Sequence, residues 1–194
     1  MTQEDFLREC GGTYPVVLTA LGYFREVVCK GCERVRDNHI DALAGVLGVD
    51  AGDLRRSPHA APDRTSLGVE SVELGCKAKR QEGLYLYFYV NWDRDGGDPP
   101  LSVRMHLYIG DRGRRESLAT ALDNLYDDLR KDPAFAGEPW DYKSYRSQSA
   151  FWIILGESEF SLFEEKLDQL LGFVIPFLKS VEGIQKFFAM GPQP

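Results

Sequence analysis

The sequence predicts an α+β domain with the element order α-α-β-β-β-α-β-α, and three observations carry this prediction. The first third of the chain repeats apolar residues at helical spacing. Residues 67–109 alternate apolar and polar side chains, as strands with one buried face do. The last third returns to helical spacing around one apolar run. Segregated runs of helices and strands are typical of α+β proteins rather than parallel α/β folds.

The first third is predicted to form helices. A short helical segment, Asp5–Cys10, ends at a glycine pair, and a longer amphipathic helix begins at Tyr14-Pro15 because proline suits the first helical turn. We expect this helix to run to about Asp37 and a second one, capped by Asp37 or Asn38, to follow it and end at Gly48.

Residues 50–65 are predicted to form an exposed loop, because they are rich in proline, glycine, aspartate and arginine. One helical turn is expected at Gly52–Arg55. This loop is the one candidate boundary between a helical N-terminal subdomain at 1–49 and an α+β core at 66–190. A chain of 194 residues suits one sizeable core, so we expect residues 1–194 to form a single domain.

Three strands are predicted in the middle of the chain. They cover residues 67–76, 84–92 and 101–109, where side chains alternate between apolar and polar. Their connections are short, so we expect an antiparallel meander. Placing Val90 opposite Val103 sets the register of the second and third strands.

A helix, a strand and a final helix are predicted to follow the meander. The first of these helices carries one apolar stripe that faces the sheet, made of Leu118, Leu122, Leu125 and Leu129. Asp132–Ser149 is predicted to be a polar loop. Ala150–Leu155 is predicted to be a strand covered on both faces, because its apolar run does not alternate. The last helix is expected to open with a capping box of Ser161 and Glu164.

The charge balance argues against general binding to polyanions. Acidic residues outnumber basic ones by 30 to 23, which gives a formal net charge of −7. We therefore do not expect nucleic acid or an anionic membrane as a partner. The first ten residues lack the pattern of a secretory signal, and no apolar run reaches the roughly 20 residues of a membrane span. These features predict a soluble, cytoplasmic protein of undetermined oligomeric state.

Cys29 and Cys32 form a C-x-x-C pair that Cys10, Cys76 or His39 could complete as a tetrahedral zinc site. No second close pair accompanies it, which argues against zinc. Helical spacing instead makes the two cysteines neighbours at i and i+3, as core or surface thiols, with a redox pair as a third alternative. We expect no disulfide, metal or other cofactor in a reducing compartment.

The predicted register gives the meander one apolar face and one face that combines tyrosines with a guanidinium and an imidazole. Such a face suits the stacking of a planar ligand or the binding of a protein partner. The alternative is a second layer of core beneath a covering helix. The candidate binding residues are Tyr85, Tyr87, Tyr89, Arg104, His106 and Tyr108.

A basic rim is predicted where the ends of the first and third strands meet. The rim runs into the N-terminus of the next helix, where free N–H groups favour phosphate or an acidic partner. The alternative is a solvated turn, since the segment matches no phosphate-loop motif. The candidate anion-binding residues are Lys77, Lys79, Arg112, Arg114 and Arg115.

A metal-dependent hydrolase is the alternative function. Asp93, Asp95 and Asp98 lie in one loop and His106 on the next strand, although a hairpin turn explains the same aspartates without a metal. The predicted element order is similar in topology to the core of the PD-(D/E)xK nucleases, in which an Asp on the second strand and an acid-x-Lys on the third bind metal. Here Asp93 follows its strand, the third strand has no acid-x-Lys, and Asp141-Tyr142-Lys143 falls in a predicted loop. The leading interpretation is a non-enzymatic binding domain with no catalytic residue assigned.

Overall fold

An antiparallel sheet organises the fold in the computed structural model, which describes residues 14–55, 58–59, 71–77, 83–91, 101–146 and 148–188. Its six strands within these ranges are β1 (Pro58–His59), β2 (Ser71–Lys77), β3 (Leu84–Asn91), β4 (Ser102–Ile109), β5 (Trp140–Ser144) and β6 (Ser149–Ile154). Their spatial order is β1-β2-β3-β4-β6-β5, and all neighbours are antiparallel. The predicted α+β class and the β2–β3–β4 meander are confirmed.

Helices accompany the sheet along the described ranges. They are α1 (Tyr14–Leu47), α2 (Ala51–Arg55), α3 (Arg112–Arg130), α4 (Phe163–Ser180) and α5 (Gln185–Phe188), with 3₁₀ turns at Pro133–Gly137 and Glu157–Leu162. α1 packs against α4 and reaches β2 and β3, α4 crosses β4 and β6, and α3 lies beside β5. None of the helices in the described ranges has both the length and the apolar character needed to cross a bilayer.

One face of the sheet forms the core. Leu86, Phe88, Val103 and Met105 are fully buried on this face, because alternate residues of β3 and β4 point to the same side. The ring of Phe177 in α4 lies 5.9 Å from that of Phe151, which is paired with Met105 in the sheet. The helices therefore cover the apolar face, and we call the opposite one the outer face.

α1 is one continuous helix of 34 residues, so the predicted break near Asp37 and Asn38 is wrong. Asp37 caps no helix; its carboxylate accepts a hydrogen bond from the buried Arg36. Buried apolar residues continue at helical spacing on both sides of Asp37 and Asn38. Their packing against the core stabilises the helix across this polar stretch. This stripe comprises Val28, Cys32, Val35, Ile40, Leu43 and Leu47. The predicted stop at Gly48 is confirmed by its φ of +70°.

The sequence also predicts a helical segment on each side of α1. The helical turn predicted at Gly52–Arg55 is confirmed as α2, but Leu54 is fully buried, so this part of the 50–65 segment is not an exposed loop. The predicted helix at Asp5–Cys10 lies outside the described residues.

The polar loop predicted at Asp132–Ser149 is wrong, since it contains the edge strand β5. Trp140 and Tyr142 are buried on the core face, opposite Ile153 and Phe151. The predicted strand at Ala150–Leu155 is confirmed as β6, and its residues from Ala150 to Ile153 are buried on both faces.

The predicted capping box of the last helix, Ser161 with Glu164, is wrong. That last helix, α4, begins at Phe163 and its N-cap position, Leu162, offers no side-chain hydrogen bond. The capping contact lies one element earlier, where the carboxylate of Glu159 accepts the N–H of Gly156 at 2.7 Å. Ser161, which the sequence pattern assigned to the N-cap, thus lies inside a 3₁₀ turn.

Candidate functional site

The outer face of the sheet brings together the tyrosines and the two basic residues selected from the sequence. The predicted register is confirmed, with the pairs Tyr85–Tyr108, Tyr87–His106, Tyr89–Arg104 and Val90–Val103. On the other side of β4, β6 places Trp152 opposite Arg104 and Ala150 opposite His106. Arg104 and His106 therefore lie on β4, a central strand of the sheet. Tyr85, Tyr87 and Tyr89 lie on the neighbouring strand β3, and Tyr108 lies on β4 opposite Tyr85.

Arg104 and His106 are buried, with 8% and 6% of their surfaces exposed. Arg104 donates from Nε to Ser102 Oγ at 2.7 Å. Burial, and then the positive charge of Arg104, lowers the pKa of His106 to about 3, while a hydrogen bond that the ring donates to the side chain of Gln148 acts in the opposite direction. His106 is therefore a neutral imidazole at neutral pH. For these two residues the alternative of a second buried layer describes the geometry better than an open binding site.

Tyr85, Tyr87 and Tyr108 are only half-buried, and their rings form one cluster. The rings of Tyr85 and Tyr87 stack with centroids 6.1 Å apart and planes 9° apart, while Tyr108 meets Tyr85 edge-on at 5.5 Å. The guanidinium of Arg115 lies 5.7 Å from the centroid of the Tyr108 ring. We call these four residues the tyrosine–arginine surface. It joins part of the predicted tyrosine face to part of the predicted basic rim, two features that are separate in the sequence.

Two glycines position the strand ends beneath this surface. The N–H of Gly110 donates to the carbonyl oxygen of Gly83 at 2.6 Å, and a Cβ on Gly83 would lie 2.9 Å from the Gly110 Cα. Gly83 also has a φ of +84°, which favours glycine. Only residues without side chains allow this approach, which holds the start of β3 against the end of β4 and sets Tyr85 beside Tyr108.

The start of α3 directs Arg115 back over the sheet. Asp111 is the N-cap, and its carboxylate accepts the N–H of Arg114 at 2.8 Å. Arg115 lies in the first turn and donates from Nη1 to the Ile109 carbonyl oxygen at 2.9 Å. Within the described part of the chain, its buried Nε atom has no hydrogen-bond partner. The guanidinium is thus anchored at Nη1, and since Nε is buried, the donors left for an external acceptor are the remaining N–H groups of the two Nη atoms.

The remaining members of the basic rim are arranged differently from the prediction. Arg112 forms an ion pair with Glu116 at 2.7 Å, and Asp111 occupies the helix N-terminus at which an external anion was expected. The hydrogen bond and charge of Arg112 lower the pKa of Glu116, and the charges of Arg115 and Arg146 lower it further. Arg146, in the turn between β5 and β6, therefore adds to this basic region, although no pattern in the sequence indicates this. Lys77 and Lys79 also belong to the predicted rim.

Of these two lysines, Lys77 has its backbone paired with that of Tyr85 in the sheet. Lys79 lies outside the described residues.

Comparison with known proteins gives no match. No protein-family model fits the chain, and no curated protein or solved structure is significantly similar to it. The function must therefore be argued from the geometry.

The cysteine pair lies on α1, where burial raises the pKa of both thiols, that of Cys32 to about 12. His39 lies seven residues beyond Cys32 and ten beyond Cys29 on the same helix, about 10 and 15 Å along its axis, and is paired with Asp168 of α4 at 2.8 Å. Across the described ranges, no group of three or more Cys, His, Asp and Glu side chains is placed to hold a metal ion. The backbone of Cys76 is paired with Leu86 in the sheet.

The remaining candidate metal ligands lie outside the described residues; they are Cys10, Asp93, Asp95 and Asp98. The hydrolase alternative therefore stays a prediction. Asp141 and Lys143 of the acid-x-Lys match lie on β5 rather than in a loop. Asp141 accepts hydrogen bonds from the Tyr126 hydroxyl and the Tyr142 N–H, and Lys143 lies 5.3 Å from the ring of Tyr145.

Two grooves were not predicted from the sequence. One, of about 410 Å³, wraps the start of β5 and is lined in part by Trp140, Trp152 and Arg130. The other, of about 660 Å³, lies where α1 and α4 end. Both join residues that are far apart in the chain, so no local sequence pattern could have revealed them.

Proposed function

We propose that the protein is a non-enzymatic binding domain that holds a planar, negatively charged ligand on the tyrosine–arginine surface. The observation that carries this proposal is the position of Arg115 over the Tyr108 ring, next to the stacked, half-exposed rings of Tyr85 and Tyr87. A cation and several aromatic faces are contiguous there. We place this function in the cytoplasm, where the thiols of Cys29 and Cys32 would stay reduced.

The aromatic part of the surface suits a flat ring. Aromatic pairs prefer offset-stacked or edge-on contacts, and each is worth about 0.5–1.5 kcal/mol beyond the area it buries. Tyr85 and Tyr87 already stack on each other with nearly parallel planes, so a third ring can extend the same stack. An aliphatic ligand would gain no such contact.

The cationic part suits a carboxylate or phosphate on that ring. A guanidinium binds these groups with two parallel hydrogen bonds, which are among the strongest in proteins. Arg115 uses one donor on the Ile109 carbonyl oxygen. The nearby Arg112 and Arg146 add positive charge, and Glu116 offsets part of it. This local excess contrasts with the net charge of −7, so binding should weaken as salt is added.

Adenosine monophosphate (AMP) provides a probe with both chemical features, and adenosine and inorganic phosphate provide each feature alone. Isothermal titration calorimetry with the full chain should show tighter binding of AMP than of either fragment. Tyr85→Leu and Arg115→Gln should each weaken AMP binding about tenfold, the loss expected for one charge-assisted or stacking contact. Thermal melting should confirm that both variants fold.

Arg130 offers a matched control, because its guanidinium lies 5.8 Å from the centroid of the Tyr126 ring and it is the last residue of α3, whereas Arg115 lies in the first turn. Arg130→Gln should leave AMP affinity within about twofold of the original, a difference of roughly 0.4 kcal/mol. Equal losses in Arg115→Gln and Arg130→Gln would show nonspecific attraction. No AMP binding at millimolar concentration would count against this ligand chemistry and leave a protein partner as the occupant.

A further inference from the structure

A groove separate from the tyrosine–arginine surface lies at the junction of three helices. It is bounded by the last turns of α1 and α4 and by residues 181–186, and its volume is about 660 Å³, within the range of small-molecule sites. Its wall is mainly apolar and includes Ala42, Val46, Ile175, Val181 and Ile184. The two sites share no residue.

Two lysines stand at this apolar wall. Lys179 lies in the last turn of α4 and Lys186 in α5. Neither ammonium group forms an ion pair with another residue of the described ranges. The acid of the lining, Asp41, is engaged in an interaction of its own.

The side chain of Lys186 lies against Gly183, which also lines the groove. The end of its side chain, from Cδ to Nζ, lies 3.2–3.4 Å from the point that a Cβ on Gly183 would occupy. Gly183 has a φ of +64°, and the Lys186 N–H donates to its carbonyl oxygen at 2.9 Å. The stem thus folds over the glycine, and the ammonium stays beside the apolar wall instead of extending away from it.

We propose that this groove binds a free carboxylate with an aliphatic chain, such as a fatty acid of medium length. The chain would cover the apolar wall, and the carboxylate would lie between Lys179 and Lys186. Burial of methylene groups supplies affinity, and two cations without internal partners select the sign of the head group. A flat ring would find no aromatic partner among the lining residues, so this ligand class differs from that of the tyrosine–arginine surface.

Two surfactants with the same decyl chain test the proposal by calorimetry, below their micelle concentrations. Decanoate should bind at least tenfold more tightly than decyltrimethylammonium. A Lys179→Gln, Lys186→Gln double variant should remove this preference. Equal affinity for the two head groups, or no decanoate binding at millimolar concentration, would overturn the proposal.

A glycine pair locates the binding. Gly45 lines the groove and Gly172 lies on α4 outside the lining; neither position has an atom within 4 Å of an added Cβ. Gly45→Leu should fill the groove and weaken decanoate binding at least tenfold, whereas Gly172→Leu should not change it. Unchanged binding in Gly45→Leu would place decanoate elsewhere and refute the assignment.

The same experiments distinguish a ligand-binding role of the two lysines from a purely stabilising one. Cations near helix C-termini offset the helix dipole, so such a role predicts a lower melting temperature in the double variant with unchanged decanoate affinity. That outcome would contradict the proposal. Binding to anionic phospholipid vesicles without binding of monomeric decanoate would also contradict it, in favour of a membrane surface.

Discussion

Lowering the pH from 7.5 to 5.0 should destabilise the folded protein by about 2 kcal/mol through His106 alone. Burial, followed by the charge of Arg104, lowers the pKa of this imidazole from 6.5 to about 3 in the folded state. In the unfolded chain it takes up a proton near pH 6.5. Between these pKa values the unfolded state binds more protons, so the free energy of unfolding falls as the pH falls. Each pH unit below 6.5 costs about 1.4 kcal/mol.

Urea unfolding at pH 7.5 and 5.0, for the wild type and His106→Gln, isolates this effect. Glutamine keeps a polar group and cannot titrate, so the wild type should lose about 2 kcal/mol more than the variant. Carboxylates with lowered pKa values, such as Glu116 and Glu159, stabilise the fold above about pH 4.5 and lose this effect below it, outside the window. His39 is present in both proteins and cancels in the difference. Equal pH dependence of the two proteins, or an NMR titration of native His106 near pH 6.5, would disprove its burial as a neutral group.

Two further predictions concern stability and are checked by urea or thermal unfolding. Gly31→Ala should destabilise the protein by about 1 kcal/mol, because its Cβ would clash with a ring carbon of the buried Phe163; overpacking costs about 1–3 kcal/mol and exceeds the gain in helix propensity of roughly 1. Gly45→Ala and Gly172→Ala have open space and should stabilise by about 0.5–1 kcal/mol; stabilisation by Gly31→Ala would show that α1 and α4 separate easily. Asp111→Ala should lower stability by about 1 kcal/mol through loss of the N-cap, while Asp111→Ser should restore most of it.

The part of the fold that the sequence predicts well is the part where each residue's face is decided locally. β3 and β4 alternate over eight residues each, so a slip of one residue would expose Leu86 and Phe88 and bury tyrosines in the core. The register could therefore be obtained from the alternation and one pair, Val90 and Val103. The same argument supports the stop at Gly48, where a backbone requirement belongs to one residue.

The incorrect predictions concern segments whose structure is decided by distant contacts. The polar run around Asp37 has the composition of a helix boundary, but α4 packs along α1 and the apolar stripe continues beyond it. β5 has only five residues, and its two buried rings, Trp140 and Tyr142, take their places against Phe177 of α4. A five-residue edge strand with two inward side chains has too few alternations to be distinguished from a loop.

In the candidate site, too, the sequence predicts what is decided locally and does not predict what depends on distant contacts. Tyr87 and His106 are neighbours on the outer face and follow the same alternation, yet one is half-buried and the other buried. Alternation assigns a residue to a face but carries no information about what covers that face. Likewise Arg146 is about thirty residues from Arg115 in the chain, and only the β5–β6 hairpin brings its charge into the same region.

The internal contacts of the tyrosine–arginine surface favour the proposed binding, because they order its side chains before a ligand arrives. A flexible arginine and free tyrosine rings would lose conformational entropy on binding, about 0.5–1.5 kcal/mol for each side chain that becomes fixed. Here Arg115 is held by the Ile109 carbonyl oxygen, and Tyr108 by its edge-on contact with Tyr85. Much of that entropy is therefore lost when the protein folds. If the proposed ligand binds there, these contacts would contribute to its affinity even though none of their internal partners needs to touch it.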